Sequence, residues 1–386
     1  MLGSTAKHFP SANVAVLLSA KVRSCWIRDG TRSFSKWGEL REPYGVPGLL
    51  GTFEPSKLDV ILYQEFHNSD FNWLTGFIEV GKLEAAVEQT EEREGTIGGW
   101  PRIALVTPVY NSGRYIEQTI LSVLAQHYPN LDFFIVDGGS TDGTVEIIRK
   151  YESQISGWIS EPDNGMYDAI NKGFARTTGE IMGWISATDM FQPGGLGVVA
   201  RVFGCLPDVE WITGRCTFYD EEGKTIGIEG LREFSRARFL VGEEQHIQQE
   251  STFWRRSLWE KAGGYVDASR RMSSDFELWV RFFRHARLYS VDALIGGFRF
   301  HGDSRWLQNL EACYAIRDEI IQTELASIPQ GKALKLFRVL NTRVKEIPVI
   351  RYAWWHLIEK PLVGSRWRWG VPPVIEFHGD KWGFRK

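Results

Sequence analysis

Residues 136–144 read VDGGSTDGT, directly after the apolar run 133–136 and directly before the helical spacing of residues 145–151. A buried-type strand, a tight glycine turn and a helix start within so few positions define an α/β connection. Backbone amides in such a turn and at the helix N-terminus can approach a phosphate or ribose closely, and Asp137 at the strand's C-terminal end can accept hydrogen bonds from a base or sugar. Ser140 or Asp142 is placed to cap the helix.

One glycine turn is weak evidence, because ordinary strand-to-helix connections use the same residues. The upstream stretch strengthens it. Residues 103–111, IALVTPVYN, form a second apolar strand ending in a polar loop, and residues 114–126 follow with Ile116, Ile120, Val123 and Leu124 on one helical face. The order is β-α-β-α with both loops at strand C-termini, the edge at which open α/β sheets bind ligands.

Four tracts in sequence order carry a resemblance: TPVYN at 107–111, the turn at 136–144, EPDNGMYDAINKG at 161–173 and QESTFWRR at 249–256. Together they resemble glycosyltransferase family 2, over about residues 101–305, and four ordered motifs make a chance match improbable. The resemblance implies the A-type glycosyltransferase fold, an α/β architecture with a mostly parallel Rossmann-like sheet flanked by helices. It also implies a nucleotide-diphospho-sugar donor, a saccharide or lipid-linked saccharide acceptor, and inversion at the anomeric carbon. By similarity to bacterial enzymes of this family, the product would be a surface polysaccharide, lipopolysaccharide or glycolipid.

Composition is compatible with this. The chain has 386 residues, 43% hydrophobic and 24% charged, the balance of a globular protein. A net charge of −3 gives no global attraction to nucleic acid, and no nucleic-acid motif is present. Cys25, Cys205, Cys216 and Cys313 lack paired spacing, which favours thiols in a reducing compartment. No run approaches the roughly 18 apolar residues of a spanning helix. The expected location is cytoplasmic, peripheral at the inner face of the cell membrane if the tail meets lipid.

Three regions are expected. Residues 1–98 form an N-terminal extension or small domain of unread role, with strands near 14–22 and 57–63, an aromatic stretch at 66–77 and a charged helix near 83–93. Residues 99–305 form the catalytic domain, with a nucleotide-sugar half at 99–195 and an acceptor half at 196–305. Residues 306–386 are expected to be helical and rich in Trp and Arg. In that tail, YAWWH at 352–356 and RWRW at 366–369 set aromatics beside cations, which suits either a membrane interface or packing on the catalytic core.

Glycosyl transfer expels a diphosphate, so charge growing on the leaving oxygen must be stabilised, and a divalent cation such as Mn²⁺ or Mg²⁺ does so. The resemblance places the metal-binding acidic motif at WISATDMFQP, 184–193, which makes Asp189 the candidate ligand. Where many relatives carry two adjacent acids, the first here is Thr188. His301, after the strand read at 294–300, is the second candidate, since some relatives use a late histidine. The acceptor hydroxyl must lose a proton as it attacks, and Asp275 in SSDFELWVR, 273–281, resembles the family's catalytic base. Without the resemblance, an Asp just after two serines reads as a helix-start acid. Glu277 is the fallback base.

For the donor, the resemblance carries over Thr107, Pro108, Tyr110, Asn111, Asp137, Gly138, Gly139 and Asp163 toward base and ribose. Gly138 replaces the usual second acid after Asp137. Asn164, Tyr167, Asn171 and Lys172 fall near the diphosphate or sugar, with helix packing and capping as competing roles for Tyr167 and Asn171. On the acceptor side Glu250 either orients a hydroxyl or pairs with Arg255 or Arg256, and Trp254 either stacks on a sugar or packs in the core. Nucleotidyltransferase and methyltransferase readings lack their glycine loops after the first strand. A non-catalytic sugar-nucleotide binder or scaffold with a degenerate metal motif remains the serious rival, motivated by Thr188 and Gly138.

Overall fold

A computed structural model describes residues 24–28, 34–39, 59–63, 99–242, 244–302, 308–329, 331–332, 334–336, 338–339, 370–379 and 381–385. Met1–Gly99 and Trp100–Lys386 form two compact units. In the first, strands β1 (Ser24–Arg28), β2 (Phe34–Glu39) and β3 (Asp59–Tyr63) make an antiparallel sheet in the order β2-β1-β3. The expected strand at 57–63 contains β3. The readings at 14–22, 66–77 and 83–93 lie outside the described residues.

The second unit begins β4 (Ile103–Val109), α1 (Ile116–Leu124), β5 (Leu131–Asp137), α2 (Thr144–Lys150), β6 (Gly157–Ser160), α3 (Met166–Phe174) and β7 (Ile181–Trp184). It continues through β8 (Met190–Phe191), α4 (Gly195–Cys205), β9 (Trp211–Arg215), β10 (Thr217–Tyr219), β11 (Thr225–Ile228) and α5 (Arg236–Val241). Then come β12 (Thr252–Arg255), α6 (Arg256–Lys261), α7 (Ser274–His285), β13 (Tyr289–Leu294), β14 (Gly296–Arg299), α8 (Leu310–Ser327), β15 (Ile375–His378) and β16 (Lys381–Phe384).

Nine strands form one sheet in the order β16-β15-β13-β9-β12-β7-β4-β5-β6, and β11-β10-β14-β8 form a smaller one. β6, β5, β4 and β7 run parallel, as helical crossovers require. The chain moves outward from β4 to β5 and β6, then crosses back to β7 on the other side of β4. That reversal opens a crevice at the strands' C-terminal ends.

Strand alternation sorts the side chains into two cores. Ala104 and Val106 face Ile170 and Phe174 of α3 and the tryptophans 184, 211, 254 and 279. Ile103 and Leu105 face Ile116 and Ile120 of α1 and Leu196 and Val199 of α4. β4 is buried along its whole length because helices cover both faces. The Trp184 and Trp279 rings stack at 5.9 Å and 6°. Each buried indole contributes roughly 5 kcal/mol before entropy, at about 25 cal/mol per Å².

Two expectations change in the structure. The single strand read at 294–300 is the end of β13 followed by β14, which turns into the smaller sheet. The tail also carries strands as well as the helix α8: β15 joins β13 in parallel, with Val291 opposite Ile375, and β16 returns antiparallel. Its alternation was short and hidden among charges, but Ile375 and Trp382 are buried and Arg385 bonds Glu376 and Asp292. The tracts at 352–356 and 366–369 lie outside the described residues. Among the described residues, no helix is long and apolar enough to cross a membrane.

Candidate functional site

The loops after β4 and β5 are sewn together. Asn111 N–H donates to Ser140 Oγ at 2.7 Å, Thr141 N–H to Asn111 Oδ1 at 2.9 Å, and Gly113 N–H to Asp142 Oδ2 at 2.8 Å. Gly139 and Gly143 take φ of 85° and 90°, a region L side chains avoid, which lets the turn fold back on itself. The residue capping α2 is Gly143, while Asp142 Oδ1 accepts from the Thr144 amide and hydroxyl just inside the helix. Ser140 is spent on the neighbouring loop and on Asp137, so it caps nothing.

Asp137 itself is fully buried and accepts from Gly139 N–H, Ser140 N–H, Ser140 Oγ and Ser160 Oγ. Its carboxylate therefore organises the turn, and it is not among the residues that line the cavity described below. The acid that does line it is Asp163. A Cβ at Gly138 would lie 2.7 Å from Asp163 Oδ2, so that carboxylate fills the space a side chain at 138 would take. Asp163 Oδ1 is fixed by Gly165 N–H at 2.7 Å.

A cavity of about 1320 Å³ opens above this edge. Pro108, Tyr110, Asn111, Gly138, Asp163 and Tyr167 line it from the donor half. Asp189, Glu250, Asp275 and His301 line it from later elements, so residues as distant in sequence as 108 and 301 meet. The volume exceeds the roughly 300–1,000 Å³ of a pocket for one small ligand.

Several expected contacts lie elsewhere. Thr107 is buried in β4, and neither it nor Gly139 is among the residues that line the cavity. Asn164 is exposed, and its N–H donates to Asp168. Asn171 is a fastener: its Nδ2 donates to Val266 O at 2.7 Å and its Oδ1 accepts from Val266 N–H at 2.8 Å. Lys172 pairs with Glu161 and Asp168, at 3.0 and 3.4 Å. Trp254 is 0% exposed in the aromatic core, so it cannot stack on a sugar. β12 lies inside the sheet, with both its faces under helices, which is why its tryptophan is core.

Asp189 is nearly fully buried after β7. Arg299 N–H donates to its Oδ1 at 2.9 Å. Burial pushes its carboxyl up to about 7, against the opposing pull of the Arg299 N–H and guanidinium and of the Ser186 and Thr188 side chains. Arg299 is clamped in turn: Nε donates to Thr188 O at 2.6 Å, one terminal nitrogen donates to Gln118 and Glu221 O, and its plane lies over Tyr115. The sequence reading missed Arg299. Its signal was an arginine on the inward register of FRFHG, between Phe298 and Phe300.

Glu250 is buried in the cavity wall, and its carboxyl is raised well above the ordinary range, by burial first and then by the charge of Asp189. Among the described residues its Oε1 has no hydrogen-bond partner. The ion pair expected with Arg255 or Arg256 does not form, because those guanidiniums bond backbone carbonyls of Val209, Phe203, Gly179 and Thr177. His301 lies against Tyr115, with ring centroids 5.0 Å apart.

Asp275 stands in the first turn of α7, and Tyr167 of α3 donates its hydroxyl to Asp275 Oδ1 at 3.4 Å. Glu277 is held by Arg281 at 2.8 Å, which leaves Asp275 as the carboxylate of this turn that faces the cavity.

The donor set can be tested against a divalent cation. Among the described residues no group of three His, Cys, Asp or Glu side chains is arranged to hold a metal. Asp189 and His301 nonetheless share one cavity, and the unpartnered Glu250 Oε1 lies in its wall. One or two protein ligands suffice where substrate phosphates and water complete the shell, as is usual for Mg²⁺. The residues fit a cation of that kind and do not form an all-protein cage.

Comparison with known proteins agrees with this architecture. A family model described as glycosyl transferase family 2 matches residues 104–263. The chain is 31% identical over 189 residues to an uncharacterized glycosyltransferase of Mycobacterium tuberculosis, covering 47% of this chain and 68% of that protein. An uncharacterized glycosyltransferase of Rickettsia typhi is 25% identical over 217 residues, covering 52% of this chain and 64% of the other. Among solved structures, residues 1–349 of S. aureus TarS in complex with UDP-GlcNAc align with a TM-score of 0.51 at 16% identity, over 67% of this chain and 77% of that one. That likeness is one of fold, the A-type glycosyltransferase fold.

Proposed function

The chain belongs to glycosyltransferase family 2, and from that premise we propose that it is an inverting enzyme that transfers a sugar from a nucleotide-diphospho-sugar to an acceptor hydroxyl. The observation that carries this reading is the single cavity in which the β4 and β5 loops, Asp163 and Asp189 meet Asp275. The same fold in TarS is seen with UDP-GlcNAc, a donor of this class.

In the proposed reaction the base and ribose lie against Tyr110, Asn111 and Asp163, with the Gly138 backbone beside them. Asp275 takes the proton of the acceptor hydroxyl while its oxygen attacks the anomeric carbon. The bond from that carbon to the diphosphate oxygen breaks on the opposite face. One displacement inverts the centre and needs no covalent enzyme intermediate. Tyr167 holds the carboxylate in register through its 3.4 Å bond. Asp189 and His301 are the residues that would hold Mn²⁺ or Mg²⁺, which when bound would stabilise negative charge on the leaving diphosphate. Arg299 fixes Asp189 from behind.

The proposed setting is synthesis of a cell-surface polysaccharide, lipopolysaccharide or glycolipid on the cytoplasmic side of the membrane. Calorimetric titration with UDP, GDP and dTDP, each with and without Mn²⁺, tests the reading. Metal-dependent binding of one nucleotide, weakened in Asp189→Ala, is expected. Failure of all three to bind would favour the scaffold alternative.

A further inference from the structure

Beside its carboxylates the cavity wall also carries cations. Arg232, Arg271 and Arg317 line it, and all three come from elements after β11. Arg232 is already neutralised by Glu229 at 2.6 Å and Glu244 at 3.4 Å. Arg317 has no carboxylate partner among the described residues. Its guanidinium lies over the Phe276 ring at 5.2 Å, and its Nε is buried with no hydrogen-bond partner among them. Arg271 is exposed at the rim and, among the described residues, has no carboxylate partner. Other guanidiniums around α7 and α8 are paired: Arg284 and Arg236 on Glu324, Arg281 on Glu277.

An arginine keeps its charge at any physiological pH, and its planar fork matches a carboxylate or phosphate. Stacking on Phe276 fixes the plane of Arg317 before a ligand arrives. Tyr314, one turn earlier on α8, lines the same cavity and is 58% exposed, so a ring and a fixed cation share one helix face. His246 lines the same cavity and is disfavoured as a cation, through burial first and then the charge of Arg232 and Arg317. The Cys313 and Met272 sulfurs, 3.7 Å apart, tie α8 to the segment that carries Arg271.

We propose that this part of the cavity wall takes an acceptor that itself carries an oxyanion, a phosphate or a carboxylate, gripped by Arg317 and Arg271 while Tyr314 lies against its sugar ring. The inference rests on the glycosyltransferase reading and adds the chemical class of the acceptor. The donor's diphosphate is the competing anion. It is disfavoured because the donor loops come from β4 and β5, whereas Arg317 stacks on Phe276, the residue after Asp275.

The test fills the donor site first. The full chain is saturated with the nucleoside diphosphate that binds and Mg²⁺, then titrated calorimetrically with inorganic phosphate and with acetate at constant ionic strength. Saturable millimolar binding of at least one is expected, weakened about fivefold or more in Arg317→Gln and in Arg271→Gln. Arg271 is exposed, so its variant remains informative if Arg317→Gln fails to fold. Preference for phosphate indicates a phosphorylated acceptor, and preference for acetate an acidic sugar. Binding of neither oxyanion by a protein that binds its nucleotide overturns the inference alone. So does binding that ignores both substitutions, or a loss of nucleotide affinity in both variants, which would assign the arginines to the diphosphate. Failure to bind any nucleotide overturns the underlying reading instead.

Discussion

The Tyr167 hydroxyl donates to Asp275 Oδ1 across 3.4 Å, joining α3 of the donor half to the first turn of α7 although 108 positions separate the two residues. Tyr167 is nearly buried, and its hydroxyl is held as the neutral donor, by burial first and then by the Asp275 charge. Asp275→Asn keeps the shape and removes the base. It is expected to lower kcat about 10²–10⁴-fold while nucleotide affinity stays unchanged. Tyr167→Phe leaves the carboxylate but frees its rotation, for an expected loss of about tenfold in kcat with donor KM unaltered. Steady-state kinetics paired with calorimetry separates the two effects, and a Tyr167→Phe enzyme with full kcat would remove the positioning role.

Stability should depend on pH through Asp189. Its carboxyl titrates at 3.8 in the ordinary state and about 7 in the folded protein. Between those values the folded state binds the proton more tightly, so stability falls as pH rises through the window and levels off above 7. Asp189→Asn cannot titrate. Relative to wild type it should gain on the order of 3 kcal/mol from pH 4 to pH 8 in metal-free buffer. Denaturant midpoints of both proteins across that range measure the difference. A constant gap would show that Asp189 is already ionised in the folded state at low pH.

The parallel half of the fold was legible because its signals are local. β4 and β5 are continuous apolar runs, α1 carries a 3.6-residue stripe, and the glycine turn announces the loop between β5 and α2. Asp189, Asp275 and His301, singled out through the resemblance, line one cavity. The division of labour between Asp137 and Asp163 was not legible, because both acids follow strands and only the fold shows that four hydrogen bonds close around Asp137. Trp254 stayed open between core and sugar for a related reason: a tryptophan reads alike in either place until its neighbours are known. The tail strands were missed because β15 and β16 have four residues each, and pairing with β13 stabilises them.

Gly138 is a test of the donor wall. A methyl at this position would meet Asp163 Oδ2 at 2.7 Å, and Asp163 is tethered through Gly165 N–H. Gly138→Ala should therefore turn the Asp163 carboxylate out of place and weaken nucleoside diphosphate binding about tenfold, the loss of one charge-assisted hydrogen bond. The fold should be little affected, because the cavity offers Asp163 room to move. Calorimetry against the preferred nucleotide measures this, and unchanged affinity would show that Asp163 does not touch the ligand.

Gly173 has no such room. It faces β4 from the last turn of α3, and a Cβ there would lie 2.4 Å from Val106 Cγ1 and 2.8 Å from Cγ2. Val106 is fully buried between helix and sheet, so neither partner can yield without moving backbone. Alanine in a helix interior would by itself add about 1 kcal/mol over glycine, and overpacking costs about 1–3 kcal/mol. Gly173→Ala is expected to be a net destabilisation, read as a lower denaturant midpoint at unchanged slope. Val106→Ala in the same chain removes the two obstructing methyl groups, so the double variant should be more stable than the sum of the single losses predicts. Strict additivity would mean that α3 shifts away from β4 to admit the methyl group, and that the contact does not set the spacing of helix and sheet beneath the donor loops.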